Sequence, residues 1–254
     1  MREAKSPAPG VELVVHALMT PRRLERAPST AAWGARQTLD TAHGAIAFWT
    51  AGTGAPVLLV HGWEATHADF DAFVAPLVEA GRQAVALDLP AHGETSGEPA
   101  TLPHFASAIG ALAAHTGPLA AVIAHSVGCP ATAIALHDGM RAERAVLIAG
   151  PAVYEKFVRE TAAQFGVDGN AVVAALIERG IDVPSLNAVL TAARLELPAL
   201  FIHSEDDRVV DIRSGASVAA AWRGSRFVRV NGLGHSRILR DPAVVAEAVA
   251  FATA

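Results

Sequence analysis

The segment Ala124-His125-Ser126-Val127-Gly128 sets a hydroxyl among small residues, and two later segments carry the groups that would activate it. A serine hydroxyl is a poor nucleophile at neutral pH; it needs an imidazole to take its proton and a carboxylate to orient that imidazole. Asn231-Gly232-Leu233-Gly234-His235 offers the imidazole, and Ser204-Glu205-Asp206-Asp207 offers three adjacent carboxylates. The pattern around Ser126 is weak by itself in an alanine-rich chain. Its context is stronger: an apolar run ends just before it and a helical pattern begins just after it, the setting of a strained strand-to-helix nucleophile turn. Such a turn needs small residues two before and two after the serine, which Ala124 and Gly128 are.

For these groups to meet, their segments must end neighbouring strands. Apolar runs predict strands at residues 45–50, 57–60, 83–87, 119–124, 144–149, 199–203 and 226–230. Helical patterns fall among them at 69–80, 102–115 and 127–137, with a last one at 242–251. Continuous apolar strands alternating with helices imply an α/β fold with a mostly parallel, buried sheet. Between Gly150 and Pro198 the strands pause, and helical patterns at 154–165, 171–179 and 185–194 predict a small cap inserted at about 151–196. Residues 1–40, rich in Pro and Arg with one short helical stretch at 11–18, read as an N-terminal arm to a domain spanning 41–254.

In a parallel sheet, functional groups gather beyond the carboxyl ends of the strands. Ser126, the acidic run and His235 each follow a predicted strand, in the order serine, acid, histidine expected when a nucleophile turn of this kind is used. Asp207 is favoured as the acid, with Asp206 and Glu205 as alternatives. His61, His125, Asp88, His92 and Gly93 read as groups that hold loops, and Cys129 as small core filler.

With His61-Gly62-Trp63 after one early strand and Asp88-Leu89-Pro90-Ala91-His92-Gly93 after the next, the chain from about 43 to 251 resembles the α/β-hydrolase superfamily, and within it the esterase-like serine hydrolases. The ending Gly232-Leu233-Gly234-His235-Ser236-Arg237-Ile238-Leu239 is similar to that of a bacterial subgroup. Two positions depart from the common pattern by small exchanges: Ala124 stands where glycine is commoner, and Ser204 replaces the usual glycine before the acid. The resemblance implies an α/β-hydrolase fold and an oxyanion held by the backbone N–H groups of Trp63 and Val127, such donors contributing about 3 kcal/mol each to a transition state. It implies cleavage of a carboxylic ester or related acyl substrate through an acyl-enzyme, with thioesters, lactones and carbon–carbon bonds as neighbouring substrates. A serine nucleophile argues against the superfamily's dehalogenase and epoxide-hydrolase reactions, which need a carboxylate. Trp63, Tyr154 and Phe157 are expected to bind the acyl group, with Phe165, Leu176 and Leu190 in the same apolar pocket. The competing class is a hydrolase-fold sensor that binds a small molecule with little turnover, for which the arm leaves room.

Composition narrows the partners. A chain of 254 residues, 52% hydrophobic, suffices for one large core. A formal charge of -5 without a basic stripe argues against nucleic acid and against a polybasic membrane patch. The lone Cys129 excludes an internal disulfide framework and fits a cytoplasmic setting, as does a first twenty residues without a signal-peptide layout. Residues 99–137 carry no Asp, Glu, Lys or Arg, yet Gly110, Gly117, Pro118, Gly128 and Pro130 break them too often for a membrane span. No metal-ligand or nucleotide-binding motif is present, so no metal or cofactor is expected. The expected partner is a small-molecule acyl substrate; a homo-oligomer is compatible with the sequence.

Overall fold

Pro56–Val60 and Ala121–His125 form strands β3 and β5, buried at every position. Strands without a polar face belong in the middle of a sheet covered on both sides. The computed structural model, which describes residues 9–23, 28–97 and 99–254, places them there. Its eight strands run in the order β1-β2-β4-β3-β5-β6-β7-β8. The remaining strands are β1 (Gln37–Thr41), β2 (Gly44–Ala51), β4 (Gln83–Leu87), β6 (Ala145–Ile148), β7 (Ala199–Ser204) and β8 (Arg226–Val230). From β4 to β8 the pairing is parallel; β1 and β2 form an antiparallel hairpin added at one edge. This is the α/β-hydrolase fold.

Alternate residues of the central strands feed two apolar layers. Leu58 and Val60 face a layer with Phe105, Ile109 and Leu112 of α3 (Leu102–Thr116), Ala131 of α4 (Gly128–His137) and Trp222. Val57 and Leu59 face the other, with Phe73 and Leu77 of α2 (Asp71–Glu79) and Val245 and Ala248 of α9 (Pro242–Thr253). Helix α9 starts where a capping residue and a proline coincide: Asp241 accepts the N–H groups of Ala243 and Val244, and Pro242 follows it.

Three helices stand between β6 and β7: α5 (Tyr154–Gln164), α6 (Gly169–Glu178) and α7 (Ala188–Ala192). Helix α1 (Pro9–Met19) packs on the first two, burying Val11, Val14, Val15 and Leu18 against Val158, Ala162, Val172 and Leu176. Two elements escape the sequence reading. Strand β1 begins at Gln37, inside the stretch read as an arm, and is a mostly exposed polar edge. Helix α8 (Ile212–Ala221) follows β7, started by Asp211, whose carboxylate accepts the Arg213 N–H.

Candidate active site

Between β5 and α4 the backbone turns at Ser126, whose φ of +52° is one that side-chain-bearing residues rarely adopt. That strain, on the order of 1–2 kcal/mol, is held by bonds on both sides. The Ser126 N–H donates to the Ile148 carbonyl at 2.9 Å, and the Cys129 N–H donates to the Ser126 carbonyl at 2.9 Å. The Cys129 thiol donates to the carbonyls of Ala124 and Ile148 at 3.3 and 3.4 Å. Close backbone approach explains the glycines: a Cβ on Gly128 would lie 2.6 Å from the His61 carbonyl, and one on Gly62 would lie 2.8 Å from the Ser126 Cβ.

Because β5, β7 and β8 run parallel, their carboxyl ends share one edge of the sheet, and the structure brings Ser126, His235 and Asp207 together there. The His235 Nε2 lies 2.9 Å from the Ser126 Oγ, and its Nδ1 lies 2.8 Å from Asp207 Oδ2. A carboxylate only accepts, so the proton sits on Nδ1 and leaves Nε2 to accept from the serine hydroxyl. Asp207 also accepts the N–H groups of Val209 and Val210, at 2.8 and 2.9 Å. On the far side, the His203 Nε2 stands 3.3 Å from Oδ2. Burial works against the Asp207 charge, but the hydrogen bonds from His203, His235 and Val210 outweigh it and hold this carboxyl well below the usual range. Asp206 has another job: it accepts the Ser204 hydroxyl and the Gly234 N–H, so it fixes the loop that carries His235. Glu205 is exposed.

The neighbouring histidines bind loops together. His61 donates from Nδ1 to the Gly62 carbonyl at 2.7 Å and accepts the Leu89 N–H on Nε2 at 2.9 Å. His125 donates to the His235 carbonyl at 2.9 Å, and His92 to the Pro90 carbonyl at 2.9 Å. Asp88 accepts the N–H groups of His67 and Glu94. Burial pushes His125 down to about 4, helped by the His235 ring beside it, and pushes His92 down to about 3, helped by His61.

Both rings therefore stay neutral in the fold at a pH where the unfolded chain, titrating near 6.5, takes up protons. The unfolded state then holds more protons, so stability falls with falling pH. The expected result is a melting temperature that drops from pH 6.5 towards 4, each ring contributing up to ~1.4 kcal/mol per pH unit, with a shallower drop in His125→Gln. A melting temperature flat from pH 7 to 4.5 would show that these rings are not held neutral.

Over Ser126 lies a cavity of about 240 Å³ whose walls include Trp63, Phe105, Val127, Tyr154, Phe157 and His235. Leu18, Leu186, Val209 and Val210 also line it, and none was expected from the sequence. Burial raises the Tyr154 hydroxyl to about 12. Three expected lining residues are elsewhere: Phe165 and Leu190 are exposed, and Leu176 is buried among α1, α5 and α6. Helical periodicity identifies a buried face but not what covers it. A wider depression of about 1060 Å³ along α2 contains none of the three relay groups. Among the described residues no group of three or more His, Cys, Asp or Glu is placed to hold a metal ion, and no helix is long and apolar enough to cross a membrane.

Residues 57–193 match the Alpha/beta hydrolase family, and the chain belongs to that family. A non-heme haloperoxidase of Rhodococcus erythropolis is 33% identical over 102 residues, 38% of this chain. The aligned stretch spans only 37% of that protein's length. Among solved structures, a thermophilic esterase from Thermogutta terrifontis with malate bound superposes with a TM-score of 0.67 at 20% identity, over 85% of this chain and 97% of its own. A hydrolase from Pseudomonas aeruginosa gives 0.69 at 23% identity, over 87% and 99%. A bromoperoxidase from Bacillus anthracis gives 0.66 at 16% identity, over 86% and 99%. At these identities the likeness is one of fold.

Proposed function

We propose that the protein is a serine hydrolase that cleaves a carboxylic ester, or a related acyl compound, through an acyl-enzyme on Ser126. The observation that carries this reading is the relay from Asp207 Oδ2 through His235 to Ser126 Oγ, with links of 2.8 and 2.9 Å, opening on an apolar cavity. His235 takes the serine proton as Oγ attacks the carbonyl carbon, and Asp207 stabilises the imidazolium. The N–H groups of Trp63 and Val127 hold the oxyanion; both residues border the cavity at Ser126. His235 then returns its proton to the leaving alcohol, and water attacks the acyl-enzyme with the same base.

Among the described residues no Asp, Glu, Lys or Arg lines the cavity, which favours an uncharged acyl group. At about 240 Å³ it falls below the ~300–1,000 Å³ typical of drug-sized ligands, which favours short and medium chains. Trp63, Tyr154 and Phe157 supply the apolar contact. The test is a fluorophosphonate probe, its adduct mapped by mass spectrometry, run beside p-nitrophenyl acetate to octanoate. A label on Ser126 together with multiple turnover supports the reading; folded protein with neither overturns it. One relative is named a non-heme haloperoxidase and one structure of the same fold a bromoperoxidase, which favours halide oxidation as a second reading. Adding bromide and hydrogen peroxide with a halogenation indicator to the same preparation tests it.

A further inference from the structure

Helix α1 and the residues after it touch several of the segments that line the cavity. Leu18 lines the cavity itself, while the rest of the apolar face of α1 is buried on α5 and α6. Next in the chain, the Met19 carbonyl accepts the Ala100 N–H at 2.9 Å, and Ala100, Leu102 and Phe105 also line the cavity. Arg22 then reaches Glu64, the neighbour of Trp63. Its backbone N–H and its Nε donate to Glu64 Oε1 at 3.1 and 2.9 Å, and its Nη2 donates to Oε2 at 2.8 Å. Arg23 donates to the Thr95 carbonyl at 2.9 Å.

An exposed ion pair ordinarily contributes little, and the Arg22 side chain is 75% exposed. This one differs because three hydrogen bonds converge on one carboxylate, whose side chain is only 17% exposed. They anchor the side chain of a residue at φ +55°, a left-handed conformation that a glutamate rarely adopts. The turn so held carries the Trp63 N–H. An oxyanion donor acts only when it is already aimed at the place where charge develops, and small misplacements are costly.

We propose that residues 18–23 are a working wall of the active site: Leu18 sets the depth of the acyl pocket, and Arg22 is a positioning residue that aims the Trp63 N–H through Glu64. This rests on the serine-hydrolase reading of the same site. Arg22→Met lowers kcat by about ten-fold on every chain length, part of the ~10²–10³ that loss of a whole donor costs, while KM stays within about two-fold. Arg22→Lys recovers part of the loss. Leu18→Ala shifts the kcat/KM optimum to longer p-nitrophenyl esters, and Leu18→Trp shifts it to shorter ones. Melting temperatures separate lost folding from lost function, and hydrogen–deuterium exchange over residues 62–66 rises in Arg22→Met and returns towards wild type in Arg22→Lys. Unchanged kcat in Arg22→Met, or a chain-length profile that neither Leu18 variant moves, overturns the proposal. A wild type without ester turnover counts against the hydrolase reading alone; the exchange then decides, and unaltered exchange in Arg22→Met overturns the role of Arg22.

Discussion

Ser126→Ala is expected to lower kcat on p-nitrophenyl esters by roughly 10⁴–10⁶, the scale seen when a serine nucleophile that works as a unit with its base is removed. The loss is this large because the hydroxyl that faces the His235 Nε2 is the Ser126 Oγ, at 2.9 Å. Residual rate comes from whatever the oxyanion donors supply to attack by water. A second substitution separates chemistry from strain. Alanine keeps the cost of the +52° φ, whereas glycine relieves it, so Ser126→Gly is equally inactive but about 1 kcal/mol more stable than Ser126→Ala. Steady-state kinetics and urea midpoints on both variants make the comparison. Turnover within ten-fold of wild type in folded Ser126→Ala would remove the serine from the mechanism.

Asp207→Asn is the second large effect, a fall in kcat of about 10⁴. An amide facing the His235 Nδ1 can donate to it, which moves the ring proton to Nε2 and leaves nothing to accept from Ser126. The adjoining Asp206→Asn behaves differently. Its oxygen still accepts the Ser204 hydroxyl and the Gly234 N–H, so kcat falls less than about ten-fold, with a modest loss of stability. Comparable losses at the two positions would mean that the acid is shared rather than carried by Asp207.

The relay is legible in the sequence because each of its groups follows a strand: Ser126 and Asp207 follow β5 and β7, buried uncharged runs, and His235 follows β8, where Phe227, Val228 and Val230 stand among two exposed arginines. The choice among Glu205, Asp206 and Asp207 is not, since three neighbouring carboxyls differ only in where the loop aims them. Helix α8 is obscured by its own composition: Gly215 and two serines interrupt it, and Val218 is its one large buried residue. Strand β1, Gln-Thr-Leu-Asp-Thr, is recognisable as a strand only through its pairing with β2. The pocket divides in the same way. Tyr154 and Phe157 are found from helical spacing, but Leu176 has the same signature and turns towards α1 instead. Leu18 and the Arg22–Glu64 contact depend on how α1 packs, and that contact joins residues 42 apart in the chain, beyond the range of local pattern.

Cys129, which helps hold the nucleophile turn, has a practical consequence for labelling chemistry. Its thiol is buried, donates to two carbonyls and is raised by that burial, so it offers almost no thiolate to an alkylating reagent. Gly150 packs closely against it, and even a built Cβ there would lie 2.6 Å from the Cys129 Cβ. A maleimide dye will therefore ignore the native chain, and a cysteine introduced at the exposed Phe165 or Leu190 can carry a fluorophore without first removing the natural one. In denaturant, the same thiol becomes a built-in clock whose modification rate reports each opening of the core.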